Sequence, residues 1–216
     1  MGAVAEQPLI HGQGTPAAAW AACPLLQAAP VIDAMQLLPA HRRAVVVAPH
    51  PDDELLAVGG LLWQWAAAGR TLLVVGVTDG EAGLPAGDTT LPHRLADRRR
   101  TERRLGLARL GVAAAAIHPL GLHDGGVTAQ QARLTDALTR LLRPGDLAIT
   151  PWRHDGHPDH DATGRACAAA CAATGAQLLE VPVWTWHWAR PGDARVPWQL
   201  LRQLPLPAEA LRAKQE

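Results

Sequence analysis

The chain has 216 residues, enough for one domain with a sizeable core and too few for two full ones. Lysine plus arginine and aspartate plus glutamate both number 20, so the formal net charge is zero, and nothing in the bulk electrostatics calls for a nucleic acid or an anionic membrane as partner. Phe and Tyr are absent while Trp numbers 8, so the core must rest on Leu, Val, Ala and a few indoles, each with an N–H that wants a partner.

Residues 1–40 are rich in Ala, Pro, Gly and Gln and read as an irregular N-terminal arm with a short helix over Pro16 to Trp20. "GQGTP" resembles glycine-loop punctuation, but it follows no strand, so a phosphate cradle there is a weak reading. The opening "MGAVAEQPLIHGQGTP" has no basic leader region, and "AAAWAACPLL" is too short and interrupted for a transmembrane segment; a cytoplasmic protein is expected. Cys23, Cys167 and Cys171 are an odd count without framework spacing, which argues against a secreted disulfide scaffold. Cys167 and Cys171, four apart in an Ala-rich run, are read as small buried residues on one helix face in preference to a metal pair.

From Ala44 the pattern becomes rhythmic. "AVVVAP" is a continuous β-branched run, as expected for a strand buried on both faces of a parallel sheet. "GGLLWQWAAAGR" predicts a helix stopped at Gly69, and "TLLVVGVTDG" a second strand. "PHRLADRRRTERRLGLARLGV" predicts a long charged helix closed by Gly111, and "AAAIHPLGL" a short third strand. "TAQQARLTDALTRLLRPG" predicts a helix ended by Pro144 and Gly145, then "DLAITPW" a fourth strand. "HDATGRACAAACAATGA" predicts a helix, and "QLLEVPVWTW" a fifth strand with Trp184, Trp186 and Trp188 on one face. The alternation predicts an α/β, Rossmann-like fold: a mostly parallel sheet flanked by helices, with the active site at the carboxyl ends of the strands. One domain over 1–216 is expected, with its core over 44–188 and a C-terminal segment over 189–216 that stops early in a helix.

Each predicted strand ends in a polar cluster: "PHPDDE", "TDGEAG", "LGLHDGG", "PWRHDGHPDHD" and "WTWHW". In a parallel sheet these converge on one rim. The first supplies His50, Asp52 and Asp53, and the fourth His157, Asp159 and His160. Two imidazoles plus one carboxylate form a common hydrolytic zinc set with a position left for water, whose pKa the metal lowers from 15.7 to roughly 7. A further carboxylate can act as general base and a further imidazole as general acid. Pro51 and Pro158 stiffen the two loops. The bland alternative is helix capping by Asp53, Glu54 or Asp161, but two histidine-bearing loops at two strand ends are harder to explain as caps. Spacing alone does not say whether Asp52 or Asp53 is the ligand.

The pair "PHPDDE" and "GHPDH" resembles the signature of the zinc-dependent N-acetylglucosaminyl deacetylase family (PIG-L, LmbE-like), and the resemblance runs from about Ala44 to about Trp188. It implies that His50, Asp53 and His160 hold Zn2+, that Asp52 is the general base, that His157 is the general acid or faces the oxyanion, and that Asp159 orients His157. It also implies substrate contacts at Glu81 in "TDGEAG", Arg99 in the R-x-x-E helix, and Asp124 in "GLHDG". The bland alternative for Arg99 is a solvated face of a basic helix, and Glu102 could pair locally with Arg98 or Arg99. His154 is a further candidate near the metal, and His187 a candidate one shell out; His11, His41, His93 and His118 read as ordinary surface or loop residues.

The expected activity is removal of the acetyl group from an N-acetylated amino sugar or glycoconjugate. The rivals are a metal amidase acting on another acyl group or a non-sugar amide, and a non-catalytic metal-binding module, which would have no need of Asp52 or His157. A nucleotide-binding Rossmann enzyme is weaker, since no G-x-G-x-x-G follows the first strand. The same ligands would accept Fe2+, Co2+ or Mn2+. The expected partner is a small-molecule sugar or glycoconjugate, with no nucleic acid and no transmembrane segment; a homo-oligomer is left open.

Overall fold

A computed structural model describes Ile10, residues 12–83 and residues 89–215. The expectations for the leader region and for His11 lie outside, or largely outside, the described residues. The order of elements is α1 (Ala17–Ala21), α2 (Pro24–Gln27), α3 (Ala34–Leu37), β1 (Arg43–Ala48), α4 (Asp53–Ala67), β2 (Thr71–Thr78), α5 (Pro92–Arg109), β3 (Ile117–Leu122), α6 (Gln131–Leu141), β4 (Leu147–Pro151), α7 (Pro158–Thr174), β5 (Gln177–Val181), α8 (Thr185–Trp188) and α9 (Ala208–Gln215).

The five strands form one all-parallel sheet in the order β3-β2-β1-β4-β5, with β1 in register against both β2 and β4. The chain starts at the centre of the sheet, runs out to β3, and returns to the other side of β1. Such a reversal opens a crevice beyond the carboxyl end of β1, between the loops that leave β1 and β4. β1, with its valine run, is the central strand, and the five residues of β4 beside it are all buried as well, as befits strands covered on both faces. Val45, Val47, Val75, Val77 and Ala148 pack toward α6 and α7, against Leu134, Leu138, Ala166 and Ala170. Val46, Val74 and Ile149 pack toward α4 and α5, against Leu62, Trp65 and Leu107. The alternation along each strand is the period-two geometry that separates the two core layers.

Four local expectations shift. α4 begins at Asp53, six residues earlier than the glycine pair suggested, with Asp53 and Glu54 in its first turn, where acidic groups favour the helix dipole. The third strand begins at Ile117, after a 3-10 turn over Ala114–Ala116. The helix expected from Thr128 opens with a 3-10 turn over Thr128–Gln130 and becomes α6 only over Gln131–Leu141. The largest difference is at the end of β5. The strand stops at Val181, and Thr185–Trp188 is helical, so Trp184, Trp186 and Trp188 do not share a strand face. Pro182 has no N–H to continue a ladder, and the next three N–H groups are taken by a buried carboxylate. Among the described residues no helix is long and apolar enough to cross a membrane.

Candidate metal centre and active site

The loop after β1 and the first turns of α4 and α7 bring six of the predicted residues together. His50 Nδ1 lies 3.2 Å from Asp53 Oδ2, and His160 Nε2 lies 3.2 Å from the same oxygen. The ligand atoms of His50, Asp53 and His160 all fall within 4.8 Å of one another. Asp53 and His160 are buried, and His50 is nearly so.

Protons decide what this trio can hold. His160 Nδ1 faces Asp155 Oδ2 at 2.9 Å, a contact that keeps a proton on Nδ1 and makes Nε2 the nitrogen that would lose its proton to a metal. That Nε2 is buried and makes no hydrogen bond. His50 Nε2 is 3.1 Å from Asp124 Oδ1 and 3.3 Å from Asp159 Oδ2, which leaves Nδ1 for the Asp53 side. Each imidazole thus turns one nitrogen to an outer carboxylate and the other to a shared point beside Asp53. Such an arrangement could hold a divalent metal ion, with a carboxylate behind each imidazole to orient it. The ligand atoms of a second trio, His50 with Asp124 and Asp159, also lie within 4.8 Å of one another. It fits a metal less well, because its carboxylates are already spent on backbone N–H groups: Asp159 on Gly125 and Val127, Asp124 on Ala82.

The charges follow the same geometry. Burial alone would lower the pKa of His50, but Asp124, Asp159 and Asp53 outweigh it and raise it to about 11. Burial likewise opposes His160, and Asp155 and Asp53 raise it to about 9. Asp53, despite its own burial, is held well below the usual carboxylate range by His160 and His50. The two imidazoles therefore sit among carboxylates whose negative charge favours a cation at their shared point.

A cavity of about 400 Å³ opens over this centre, lined by His50, Asp52, Asp53, Arg99, His157 and Trp184 among others. Asp52 is half exposed at the opening, and Arg99 Nη2 donates to its Oδ2 at 3.2 Å. Burial, then the charge of Asp53, raises the pKa of Asp52, while Arg99 opposes the shift. Burial and the imidazoles of His160 and His50 push His157 down to about 4, so it is neutral near pH 7. Its Nδ1 accepts the Asp159 N–H at 3.2 Å, which leaves the proton on Nε2. Trp184 stacks on the His157 ring at 6.0 Å with 20° between planes.

Several sequence expectations are modified. The Asp159 carboxylate faces His50, and only its backbone N–H reaches His157, because α7 turns the side chain back toward the 125–127 loop. Arg99 is not on a solvated face: Nη1 donates to Gly80 O, and it lines the cavity. Glu102 pairs with Arg98 at the surface. Glu81 accepts the Asp124 N–H at 2.9 Å, so its carboxylate braces the rim, while Asp124 itself lines the cavity. His154 is exposed against the Trp152 ring and does not line the cavity, and His187 stands edge-on to Trp184. Asp155 was not singled out from the sequence; its position five residues before His160 in "HDGHPDH" was the available signal. Arg103 was missed as well. It is buried and donates through Nε to Glu54 Oε1 at 3.2 Å, and Glu54 follows Asp52 and Asp53 directly in the chain.

The profile of PIG-L, GlcNAc-PI de-N-acetylase, matches residues 45–171, more than half of the chain, from β1 into α7. A probable N-acetyl-alpha-D-glucosaminyl L-malate deacetylase 2 of Bacillus cereus is 28% identical over 134 residues, covering 60% of this chain and 61% of that protein. The diacetylchitobiose deacetylase of Thermococcus kodakarensis is 31% identical over 127 residues, covering 57% of this chain and 46% of that protein. The chain therefore spans about half to three fifths of the length of these curated relatives. The solved N,N'-diacetylchitobiose deacetylase of Pyrococcus horikoshii superposes with a TM-score of 0.53 at 27% identity, covering 61% of this chain and 49% of that one. The profile match takes in both histidine loops and the strands that carry them, and on that ground the chain belongs to the PIG-L, GlcNAc-PI de-N-acetylase, family.

Proposed function

We propose that this chain is a metal-dependent hydrolase that removes the acetyl group from an N-acetylated amino sugar or glycoconjugate. The observation that carries the reading is the buried Nε2 of His160, which no hydrogen bond satisfies, held beside Asp53 and His50 under an open cavity with a spare carboxylate and a spare imidazole on its walls. The deacetylase relatives support the substrate class.

His50, Asp53 and His160 would hold the ion, and two imidazoles with one carboxylate suit zinc, while Fe(II), Co(II) or Mn(II) would accept the same donors. When bound, the metal supplies a Lewis acid that polarises a carbonyl and lowers the pKa of water to about 7. Asp52 takes a proton from the attacking water; Arg99 fixes its carboxylate from one side. His157 is neutral with its proton on Nε2, so it donates a hydrogen bond to the oxygen on which negative charge develops. The carbon–nitrogen bond then breaks, the proton held by Asp52 passes to the departing amine, and acetate leaves. Asp159 holds His50 from behind. Asp124 and Arg99 form the polar rim for sugar hydroxyls, with Glu81 bracing Asp124 through its backbone N–H, and Leu56, Val183 and Trp184 form an apolar wall that suits the face of a sugar ring. Cys23, Cys167 and Cys171 are free and buried, which supports a reducing, cytoplasmic setting.

Acetate release from a panel of N-acetylglucosamine compounds tests the reading. Release should vanish on chelation, return with zinc, and fall by roughly 10²- to 10⁴-fold in Asp52→Asn with metal still bound. No release from any member by a protein carrying one metal per chain would refute the deacetylase assignment.

A further inference from the structure

Asp155 enters none of the steps above, yet it is fully buried at the crossing of two structures that the reaction needs. Its Oδ2 accepts the His160 Nδ1 proton at 2.9 Å and the Trp184 N–H at 2.9 Å. Its Oδ1 accepts the N–H groups of Val183 and Thr185, each at 2.9 Å, and the Thr185 hydroxyl at 2.6 Å. Its backbone carbonyl accepts the Trp188 indole N–H at 2.6 Å. Three successive N–H groups converging on one carboxylate replace the ladder that Pro182 breaks, and they create the turn from β5 into α8. That turn places Val183 and Trp184 on the cavity wall, with Trp184 stacked on His157.

We propose that Asp155 is a positioning residue that couples metal occupancy to the order of the Val183–Trp184 wall. On one side the carboxylate fixes the His160 tautomer with Nε2 directed at Asp53. On the other it holds the wall against which the acyl group or sugar would lie. The two sides share one oxygen, Oδ2, so a rotation that lengthens the bond to His160 also strains the bond to Trp184 N–H. A metal that pulls His160 into place therefore tightens the wall, and loosening the wall weakens the metal. By reciprocity the two effects have the same size. The coupling rests on the reading that His50, Asp53 and His160 hold the ion; it does not depend on which amide is hydrolysed.

The test uses Thr185→Val in the full chain, with Co(II) and Zn(II) as probes. Thr185 touches neither a proposed ligand nor the cavity over the metal; the substitution keeps the shape and deletes the hydroxyl donor to Oδ1. Metal affinity, measured against a competing chelator, should weaken roughly 3- to 10-fold, less than the 10- to 100-fold typical of losing a direct outer-shell partner and expected for Asp155→Asn. Thr185→Ser should restore it. In the wild-type chain, metal loading should slow hydrogen exchange of the Val183, Trp184 and Thr185 amides, and the Co(II) absorption spectrum should shift in Thr185→Val. Unchanged metal affinity in a folded Thr185→Val protein, or exchange at 183–185 that ignores the metal, would overturn the coupling and leave the metal site standing. If Thr185→Val does not fold, the wild-type exchange measurement decides alone. A wild-type chain that takes up neither ion would overturn both the coupling and the metal reading.

Discussion

Gly164 lies one turn after His160 on α7, and its hydrogen is the only side chain the packing there admits. A Cβ at this position would stand 2.7 Å from the carbonyl oxygen of Pro151 and 2.8 Å from the Cα and N of Arg153, all backbone atoms at the end of β4. It would fall 0.7 Å short of the 3.4 Å of ordinary contact, with no flexible side chain to give way. In an open helix, Gly→Ala would stabilise by about 1 kcal/mol. Here α7 must lift from the sheet, and overpacking of this kind costs about 1–3 kcal/mol. Gly164→Ala should therefore destabilise by up to about 2 kcal/mol net, a fall in melting temperature of up to about 8 °C for a chain of this size. Because α7 carries His160 and the displaced strand end leads to Asp155, metal affinity should fall with it. Gly59→Ala is the control: its Cβ would meet Leu110 Cδ1 at 3.4 Å and Lys214 carbons at 3.7 and 3.8 Å, which is normal packing, so it should raise the melting temperature. Thermal unfolding followed by circular dichroism, with and without metal, reads both. If Gly164→Ala is as stable as Gly59→Ala, the close approach of α7 to β4 is not what excludes a side chain at 164.

The buried pair of Arg103 and Glu54 gives a pH-dependent prediction. Arg103→Met should cost about 3–5 kcal/mol near pH 8, because Glu54 is left charged without a partner. Burial already raises Glu54 to about 6, with Arg103 opposing that shift, so removing Arg103 raises it further. A carboxylate whose folded pKa is raised relieves its penalty by taking up a proton, so the loss should shrink as pH falls toward 5; urea unfolding of the variant at pH 8 and pH 5 checks this. In the metal-free protein, His50 and His160, with pKa values of about 11 and about 9, carry protons at neutral pH. Metal uptake at pH 7 should release about two protons, seen as a buffer-dependent heat in titration calorimetry, and affinity should fall as pH falls. The sign for stability is the reverse: with folded values above the unfolded ones, these ion pairs stabilise the metal-free fold fully below about pH 6.5 and lose that contribution as pH rises through 9. A metal-free protein that becomes more stable across that interval would contradict the assignment of these protons.

The sequence by itself determined the layered fold and the chemistry of its centre. Continuous runs such as "AVVVA" can be buried only between two helix layers, and the polar clusters that follow them must then meet at one end of the sheet. A metal set drawn from His50, Asp52, Asp53, His157, Asp159 and His160 was legible because a metal needs particular atom types, and those types were concentrated in two short loops; the choice of Asp53 over Asp52 came only with the family resemblance. Tertiary structure alone decided how the remaining polar groups were shared. Asp159 was expected to serve His157, yet its carboxylate turns to His50, since the 125–127 loop offers N–H groups on that side. Arg99 and Arg103 are four apart in one run of arginines and look alike in sequence. One braces Asp52 at the mouth and the other is sealed beneath β2 against Glu54, a difference made by a helical turn and by Gly76, whose missing Cβ leaves room for the Arg103 guanidinium. The tryptophans at 184, 186 and 188 alternate as a strand would, but the buried carboxylate of Asp155 captures the N–H groups after Pro182 and winds the segment into α8. Residue type shows which groups can bond; which of several equivalent partners each one takes is a long-range geometric choice, made when strands distant in sequence come together at one rim.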